Sequence, residues 1–343
     1  MSANYQQATR SPLRPVYRLR IKCPVCGKRD NCAVSEDRTR AYCRRVISKH
    51  QGRDGGYLHI LVDSPRTSHA PQSPPQKQAV PIIVADAARR HSVYTALLRS
   101  LQLSPADHTS LRARGLSDEA IERGQFRSTP TKDEAAAITS VLSNSHDLAR
   151  VAGFYRVNGA PRLVWMDTGI VIPARDAFAR ISALMYRRTH ARKDESFGKY
   201  IWLSSAEDRD GKPRKAGASS GAPCHYALSH MMKQTESVTL TEGALKAEIA
   251  AHLLNQPVIG NAPSCFGADF AANLKNDFPQ LRTVFVAFDM DFKKNESVKA
   301  AMFRLVEQLE KARFDVRIRT WPDKWKGIDD YLLAVASQKE VAA

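Results

Sequence analysis

The spacing of hydrophobic and polar positions changes along the chain, and each change marks a different kind of segment. Residues 1–63 are poor in long apolar runs and rich in turn residues, ending in "GRDGGYLHILVD". The stretch 64–80, opening "SPRTSHAPQSPPQKQ", is rich in Pro, Ser and Gln, cannot support a packed core and reads as a linker. From about 81 to 150 apolar residues recur at helical spacing, first in "ADAARRHSVYTALLRSL" and again around "SDEAIERG", where Ser117 is placed to cap a helix. Between 151 and 225 strand patterns return in "VAGFYRV", "RLVWMDTGIVIPARD" and "RISALMYRR". Their alternation of apolar residues with arginines predicts half-exposed strands carrying a basic face.

From 226 to 343 the rhythm is regular. Strand "SVTL" leads to helix "ALKAEIAAHLL", "QPVIG" to "FGADFAANLKND", "RTVFVAFDMD" to "ESVKAAMFRLVEQLEKAR", and "DVRIRTW" to "GIDDYLLAVA". Four strands alternating with four helices predict a parallel α/β sheet flanked by helices. With 343 residues the chain is long enough for two or three domains.

Charge sharpens the division. Residues 226–343 hold 15 basic and 15 acidic side chains, so the remaining 37 basic and 20 acidic residues place the whole net charge of +17 before residue 226. A basic segment joined to a neutral one favours a polyanionic partner, with nucleic acid the leading candidate. The stretch "YRRTHARKDESFGKYIWLSS" interleaves Arg187, Arg188 and Lys199 with aromatics, a pattern suited to single strands: cations meet phosphates and rings stack on bases. The same pattern also fits a solvated face whose aromatics turn inward. Arg175, in "IPARD", joins Arg187, Arg188 and Lys199 as an expected nucleic-acid contact. No apolar run approaches the roughly 20 residues that span a bilayer, and the N-terminus lacks the apolar stretch of a secretory signal. A soluble cytoplasmic protein without membrane contact is expected.

Two groups of residues carry candidate chemistry. Glu242, in "TLTEGALKAE", stands where strand gives way to helix, and Asp289 and Asp291 follow the apolar run "VFVAF". A carboxylate at a helix start can simply cap it. In an open parallel sheet, however, the carboxyl ends of strands share one crevice, and like charges gathered there call for a cation, magnesium above all where phosphates are handled. Period-2 geometry would turn Asp289 and Asp291 to one side. Asp329 and Asp330 open the last helix, and Lys246 and Gly243 lie beside Glu242. The second group is Cys23, Cys26, Cys32 and Cys43, clustered in "CPVCGKRDNCAVSEDRTRAYC"; in a reducing compartment such cysteines hold zinc.

Glu242-Gly243 after the first strand and Asp289-Met290-Asp291 after the third resemble the TOPRIM domain shared by bacterial primases, topoisomerases and certain nucleases. The resemblance implies that Asp289 and Asp291 bind Mg²⁺ (or Mn²⁺) and that Glu242 binds metal or acts in acid/base chemistry. Gly243 would allow close approach of substrate or ease the turn into the helix. "RARGLSDEAIERGQF", "GIVIPARDAFARISALMYRR" and "KGIDDYLL" resemble, in that order, segments of bacterial-type DNA primases. Gly327 departs from the family's lysine-led "KDPDEYL", leaving Asp329 and Asp330 as the acids of that motif.

The cysteine-rich segment resembles a primase zinc ribbon with Cys23, Cys26 and Cys43 as ligands. The fourth ligand is Cys32 or His59. In ribbons where a Phe precedes the hairpin at the same distance, Cys32 takes that packing position and His59 is favoured.

The implied architecture is a zinc ribbon over 1–63, a linker over 64–80, a basic mixed α+β subdomain over 81–225 and a TOPRIM domain over 226–343. The implied activity is primer synthesis on single-stranded DNA from nucleoside triphosphates, in a protein of the type encoded on plasmids, phages and other mobile elements. A TOPRIM nuclease and a catalytically idle, nucleic-acid-binding replication accessory are the alternatives. There is no GxxxxGK[ST] loop, so a replicative helicase would be a separate partner, as would a single-strand-binding protein.

Overall fold

The computed structural model describes residues 12–19, 21–29, 32–51, 56–61, 84–190, 198–208 and 210–342. The linker expected over 64–80 lies outside them. The chain divides into two compact units, Met1–Lys77 with Lys193–Gly198, and Gln78–Arg192 with Lys199–Ala343. Nearly all of 81–225 and all of 226–343 therefore belong to one unit.

The smaller unit is an antiparallel sheet of β1 (Leu13–Pro15), β2 (Ala33–Ser35), β3 (Arg40–Cys43), β4 (His50–Gln51) and β5 (Tyr57–Ile60), in the order β1-β2-β3-β5-β4. Its buried cluster is Val16, Cys23, Cys32, Val34, Ala41 and Cys43. Small aliphatic side chains and thiols make a thin core, which bears on what holds this unit together.

The larger unit opens with α1 (Ala87–Arg99), α2 (Pro105–Arg112), α3 (Asp118–Gly124), the short β6 (Arg127–Ser128) and α4 (Lys132–Ser143). Ser117 caps α3, as the sequence predicts, accepting from the Ala120 N–H at 3.2 Å. A hairpin of β7 (Phe154–Val157) and β8 (Ala160–Leu163) follows, then β9 (Gly169–Arg175), β10 (Ile181–Arg188) and β11 (Tyr200–Trp202). The last three join β6 in an antiparallel sheet, β11-β10-β9-β6.

The expectation of half-exposed strands holds for the β7–β8 hairpin, where Arg156 and Arg162 are exposed, and fails for β9 and β10. Val171, Ile181, Leu184 and Tyr186 pack with Val93, Tyr94, Leu97 and Leu98 of α1 on one side. Ile170, Ile172 and Met185 pack with Leu111, Ile121, Phe126, Leu245 and Ile249 on the other. With both faces covered, β9 and β10 have no solvated face for arginines, which are confined to the strand ends.

The remaining elements are β12 (His225–Ala227), β13 (Ser237–Thr241), α5 (Ala244–Leu254), β14 (Val258–Gly260), α6 (Phe270–Asp277), β15 (Thr283–Val286), α7 (Glu296–Lys311), β16 (Asp315–Ile318) and α8 (Ile328–Ala342). They build a sheet in the order β12-β14-β13-β15-β16, in which β14, β13, β15 and β16 are mutually parallel and β12 is antiparallel to β14. Leu274 of α6 and Met302, Leu305 and Leu309 of α7 pack with Leu240, Ile259 and Val286. Ala247, Ala250 and Ala251 of α5 pack with Val258, Ala287 and Ile328 in a separate cluster. The chain leaves β13 for β14 on one side and then crosses to β15 on the other. That reversal opens a crevice at the carboxyl ends of β13 and β15, the usual place for a ligand in an open α/β sheet.

Candidate active site and metal centre

Glu242 is the first residue past β13, and Gly243 next to it starts α5 with φ +79° and ψ 152°, a conformation reserved for glycine. A side chain at 243 would meet nothing within 4 Å, so the position faces open space. The helix start has no side-chain cap. Glu242 therefore does not serve α5 as a capping residue, and its carboxylate is left for another use.

Asp289 and Asp291 reach the same crevice by a route that period-2 alternation does not describe. The paired strand β15 ends at Val286, and the two aspartates sit on a following 3-10 turn, with Asp289 at its start and Asp291 inside it. The Met290 N–H donates to Lys326 O at 2.9 Å, fastening this turn to the loop before α8. Carboxylate oxygens of Glu242, Asp289 and Asp291 come within 4.8 Å of one another. Burial first, and then the charge of Asp289, push the Glu242 carboxyl up to about 7. Its Oε1 is buried without a hydrogen-bond partner.

Two ammonium groups balance this charge. Lys246 Nζ is paired with Asp289 Oδ1. Lys326 Nζ lies 3.0 Å from Asp291 Oδ2 and 3.4 Å from Asp289 Oδ2. Burial works against the Lys326 charge, yet Asp291 and Asp289 hold its pKa above the ordinary lysine value. Asp329, in the first turn of α8, is buried and pairs with Arg114 at 2.7 Å, whereas Asp330 accepts from the Gly327 N–H at 3.4 Å. Lys326 and Arg114 were not legible as site residues. Both lie in stretches singled out above, "KGIDDYLL" and "RARGLSDEAIERGQF", but only the fold shows what their charges face.

The four clustered thiols converge. A tight turn holds Cys23 and Cys26, with the Gly27 N–H donating to Cys23 O at 2.8 Å and the Cys23 N–H to Lys28 O at 2.7 Å. Cys32 leads into β2 and Cys43 ends β3. All four sulfurs lie within 4.8 Å of one another, and the Cys26–Cys32 and Cys32–Cys43 separations are 3.7 and 3.9 Å. A tetrahedral zinc ion with Zn–S near 2.3 Å requires sulfurs ~3.8 Å apart, so the set fits that metal. Backbone N–H groups of Arg45 and Val46 point at Cys43 Sγ, each at 3.4 Å. His59 stands outside the cluster: it is opposite Ala41 in the ladder, two residues from Cys43, and its Nε2 is 3.0 Å from Val46 O. The cluster is thus Cys₄ rather than Cys₃His.

The basic residues separate into two kinds. Arg175 turns inward: its guanidinium donates to Gly124 O at 3.1 Å, Arg123 O at 3.2 Å and Gln125 Oε1 at 3.1 Å, and pairs with Glu248 at 3.4 Å. His225 Nε2 is 3.0 Å from the same carboxylate, and His225 Nδ1 accepts from the Arg175 N–H. Burial alone would raise the Glu248 pKa, but the hydrogen bond and charge of His225, followed by the charge of Arg175, bring it below the usual value. Arg188 is buried as well and lies 2.9 Å from Asp167.

Arg187 is half-buried at the end of β10, and Lys199 is exposed. Burial and then the charges of Arg187 and Arg114 lower the Lys199 pKa, so both arginines lie close enough for their charge to reach Lys199. Trp165 is also exposed, with Lys132 over its ring at 5.2 Å, and Arg214 covers the Tyr155 ring at 4.4 Å.

Arg175→Ala is therefore expected to act on stability. Removing one partner of a buried ion pair costs about 3 kcal/mol, read as a shift of the urea midpoint, with no change in whatever single-stranded DNA binding the folded protein is found to have. A tenfold loss of affinity at unchanged stability would return Arg175 to the nucleic-acid surface.

Residues 269–339 match the profile of a family described as a domain of unknown function (DUF3854). The match takes in Asp289, Asp291, Lys326 and Asp329 and leaves out Glu242. A search of curated protein sequences finds no match. Among solved structures, the chain is similar to the zinc-binding and RNA polymerase domains of the Aquifex aeolicus primase, with TM-score 0.54 and 18% identity over 75% of this chain. It spans about 60% of the length of that structure. A DnaG primase catalytic domain bound to single-stranded DNA aligns with TM-score 0.52 and 16% identity, over 75% of this chain and 78% of the other. A DNA primase domain from Pseudomonas aeruginosa aligns with TM-score 0.51 and 14% identity, over 74% and 78%. At these identities the likeness is one of fold: about three quarters of the chain is built like the catalytic domain of a DNA primase.

Proposed function

We propose that this chain is a TOPRIM-type, primase-like nucleotidyltransferase that makes short primers on single-stranded DNA from nucleoside triphosphates, in the service of a mobile genetic element. The observation that carries the proposal is the meeting of Glu242, Asp289 and Asp291 at the crevice where the parallel sheet reverses direction. In this assignment 1–63 is the zinc ribbon, 81–225 the basic subdomain and 226–343 the TOPRIM domain. A replicative helicase or a single-strand-binding protein is the kind of partner such an enzyme would meet.

Asp289 and Asp291 would hold Mg²⁺ or Mn²⁺, with Glu242 completing the donor set. The orphaned Oε1 of Glu242 and the two lysines drawn to the carboxylates support a cation at this place. When bound, the ion would supply charge neutralisation for a transferring phosphoryl group.

The chain's own residues do the rest. Lys326 is 63% exposed and free to leave the carboxylates for a phosphate of the incoming triphosphate. Burial and the charge of Asp289 push the Glu242 carboxyl up to about 7 while no ion is bound, and a bound cation would hold it ionised as part of the donor set. Lys199, exposed and beside the positive charges of Arg187 and Arg114, suits a phosphate of the template backbone, while Arg114 itself stays paired with Asp329. The exposed Trp165 offers a ring on which an unpaired base can stack. Zinc held by Cys23, Cys26, Cys32 and Cys43 leaves no open coordination position and is structural.

The test is an extension assay on single-stranded DNA of mixed sequence, with Mg²⁺ or Mn²⁺ and labelled ribonucleotides and deoxyribonucleotides. New short oligomers are expected from the native chain, with at least a hundredfold less from Asp289→Asn. Degraded template without new product, lost in the same variant, would instead assign a nuclease. Tight DNA binding with neither product would assign an accessory protein.

A further inference from the structure

We propose that Lys246 is a built-in cation of the acidic site, standing where a second metal ion would sit, so that the carboxylates take a single divalent ion. The proposal deepens the metal-site reading above and rests on it. The two lysines occupy different sides of Asp289. Lys246 pairs with Oδ1, while Lys326 lies between Oδ2 of Asp289 and Oδ2 of Asp291. Their surroundings differ as much as their positions. The Lys246 side chain rises from α5 one turn past Glu242 and is 21% exposed, whereas Lys326 is 63% exposed on a loop.

Gly327 explains why Lys246 is held. A Cβ at 327 would collide with Asp329 Oδ1 and lie 3.2 Å from both Cε and Nζ of Lys246. The lysine is thus packed against bare backbone, beside Asp329 and against Asp289, and a side chain at 327 would press on it and clash with Asp329. Asp329 Oδ1 is buried with no hydrogen-bond partner among the described residues. A fixed ammonium next to it provides the positive charge that a buried carboxylate oxygen requires.

Charge balance then sets the number of ions. Four carboxylates, Glu242, Asp289, Asp291 and Asp329, face Lys246, Lys326 and Arg114. When Lys326 swings out and one divalent ion enters on its side, Lys246, Arg114 and that ion match the four negative charges. A second divalent ion would have to expel Lys246 or leave the site with excess positive charge. Lys326 is therefore the exchangeable occupant and Lys246 the permanent one.

The experiment counts Mn²⁺ bound to the zinc-loaded full chain, by electron paramagnetic resonance and by calorimetry. One ion per chain is expected, lost in Asp291→Asn. Lys326→Met should keep one ion and bind it about tenfold more tightly, because the competing ammonium is gone. Lys246→Met, of similar length but uncharged, should admit a second ion. Two ions of comparable affinity in the native chain would overturn the proposal without any variant, and the metal-site reading would stand. A count that stays at one in Lys246→Met, with unchanged affinity, would also overturn it. No Mn²⁺ bound by the native chain would defeat the metal-site reading together with this one.

Discussion

Chelation of zinc from Cys23, Cys26, Cys32 and Cys43 is expected to unfold residues 12–61 while the larger unit keeps its own melting transition. The reason is the poverty of the core. Half of the buried cluster consists of thiols, and the rest is Val16, Val34 and Ala41. Burying those three side chains and Tyr57 contributes about 8 kcal/mol, less than the roughly 10–16 kcal/mol of apparent binding free energy at a structural zinc site. Without metal the thiols gain little: burial pushes the Cys32 and Cys43 thiols above their ordinary values, so they stay protonated and make only weak contacts.

The readouts are zinc content, limited proteolysis mapped to 12–61, and calorimetry of the intact chain before and after chelation. Cys32→Ser should lose the ion and expose the segment to protease, while His59→Ala should keep one zinc per chain. Protease resistance that survives complete removal of zinc would show that the sheet β1-β2-β3-β5-β4 stands without the metal. Zinc lost in His59→Ala but kept in Cys32→Ser would reverse the ligand assignment.

That assignment also marks where reading the sequence stops. Cys23 and Cys26 are legible because two residues between thiols is the span of one tight turn. Cys32 against His59 is not, because the choice depends on which residue of β5 lies opposite Cys43, and the register puts Tyr57 there. The alternation of strand and helix after residue 226 is legible because "VFV" and "SVTL" are short, β-branched and bounded by turns. β12 is not, being three residues whose pairing with β14 is a tertiary fact.

The acidic residues were visible as strand-end carboxylates even though the backbone that gathers two of them is a 3-10 turn. The caging of Arg175 is not legible, because "IPARD" shows a charge and hides its partner: Glu248 lies on a helix more than seventy positions away, and two carbonyls complete the cage. Lys326 and Arg114 were passed over for the same reason. Arg114 finds its carboxylate 215 positions further on, a distance no local pattern spans.

Glu242→Gln is expected to make the metal-free protein more stable at pH 8, to change nothing at pH 4, and to abolish priming. The folded chain holds the Glu242 proton up to about 7, against an ordinary value of 4.5, chiefly because the carboxylate is buried and secondarily because Asp289 is beside it. Below 4.5 both states are protonated and the residue is neutral in its effect. As pH rises from there the unfolded chain releases its proton first, so stability falls until the folded carboxyl also ionises near 7, and stays down above it. The full gap corresponds to ~3 kcal/mol. Solvent screening of the partly exposed group reduces it to about 2 kcal/mol.

Glutamine has no proton to lose, so the substitution removes this penalty. Urea unfolding at pH 4, 6 and 8 without divalent ions measures it, and equal stability of the two proteins at pH 8 would mean that Glu242 is not strained by its surroundings. The same change deletes one donor of the cation site, and Mn²⁺ affinity should fall at least tenfold along with primer synthesis. A structural carboxylate would show the opposite sign, since its removal would lower stability. A gain in stability coupled to a loss of ion binding is the signature of a charge retained for a ligand, and it is what distinguishes Glu242 from the helix cap that its place in the sequence first suggests.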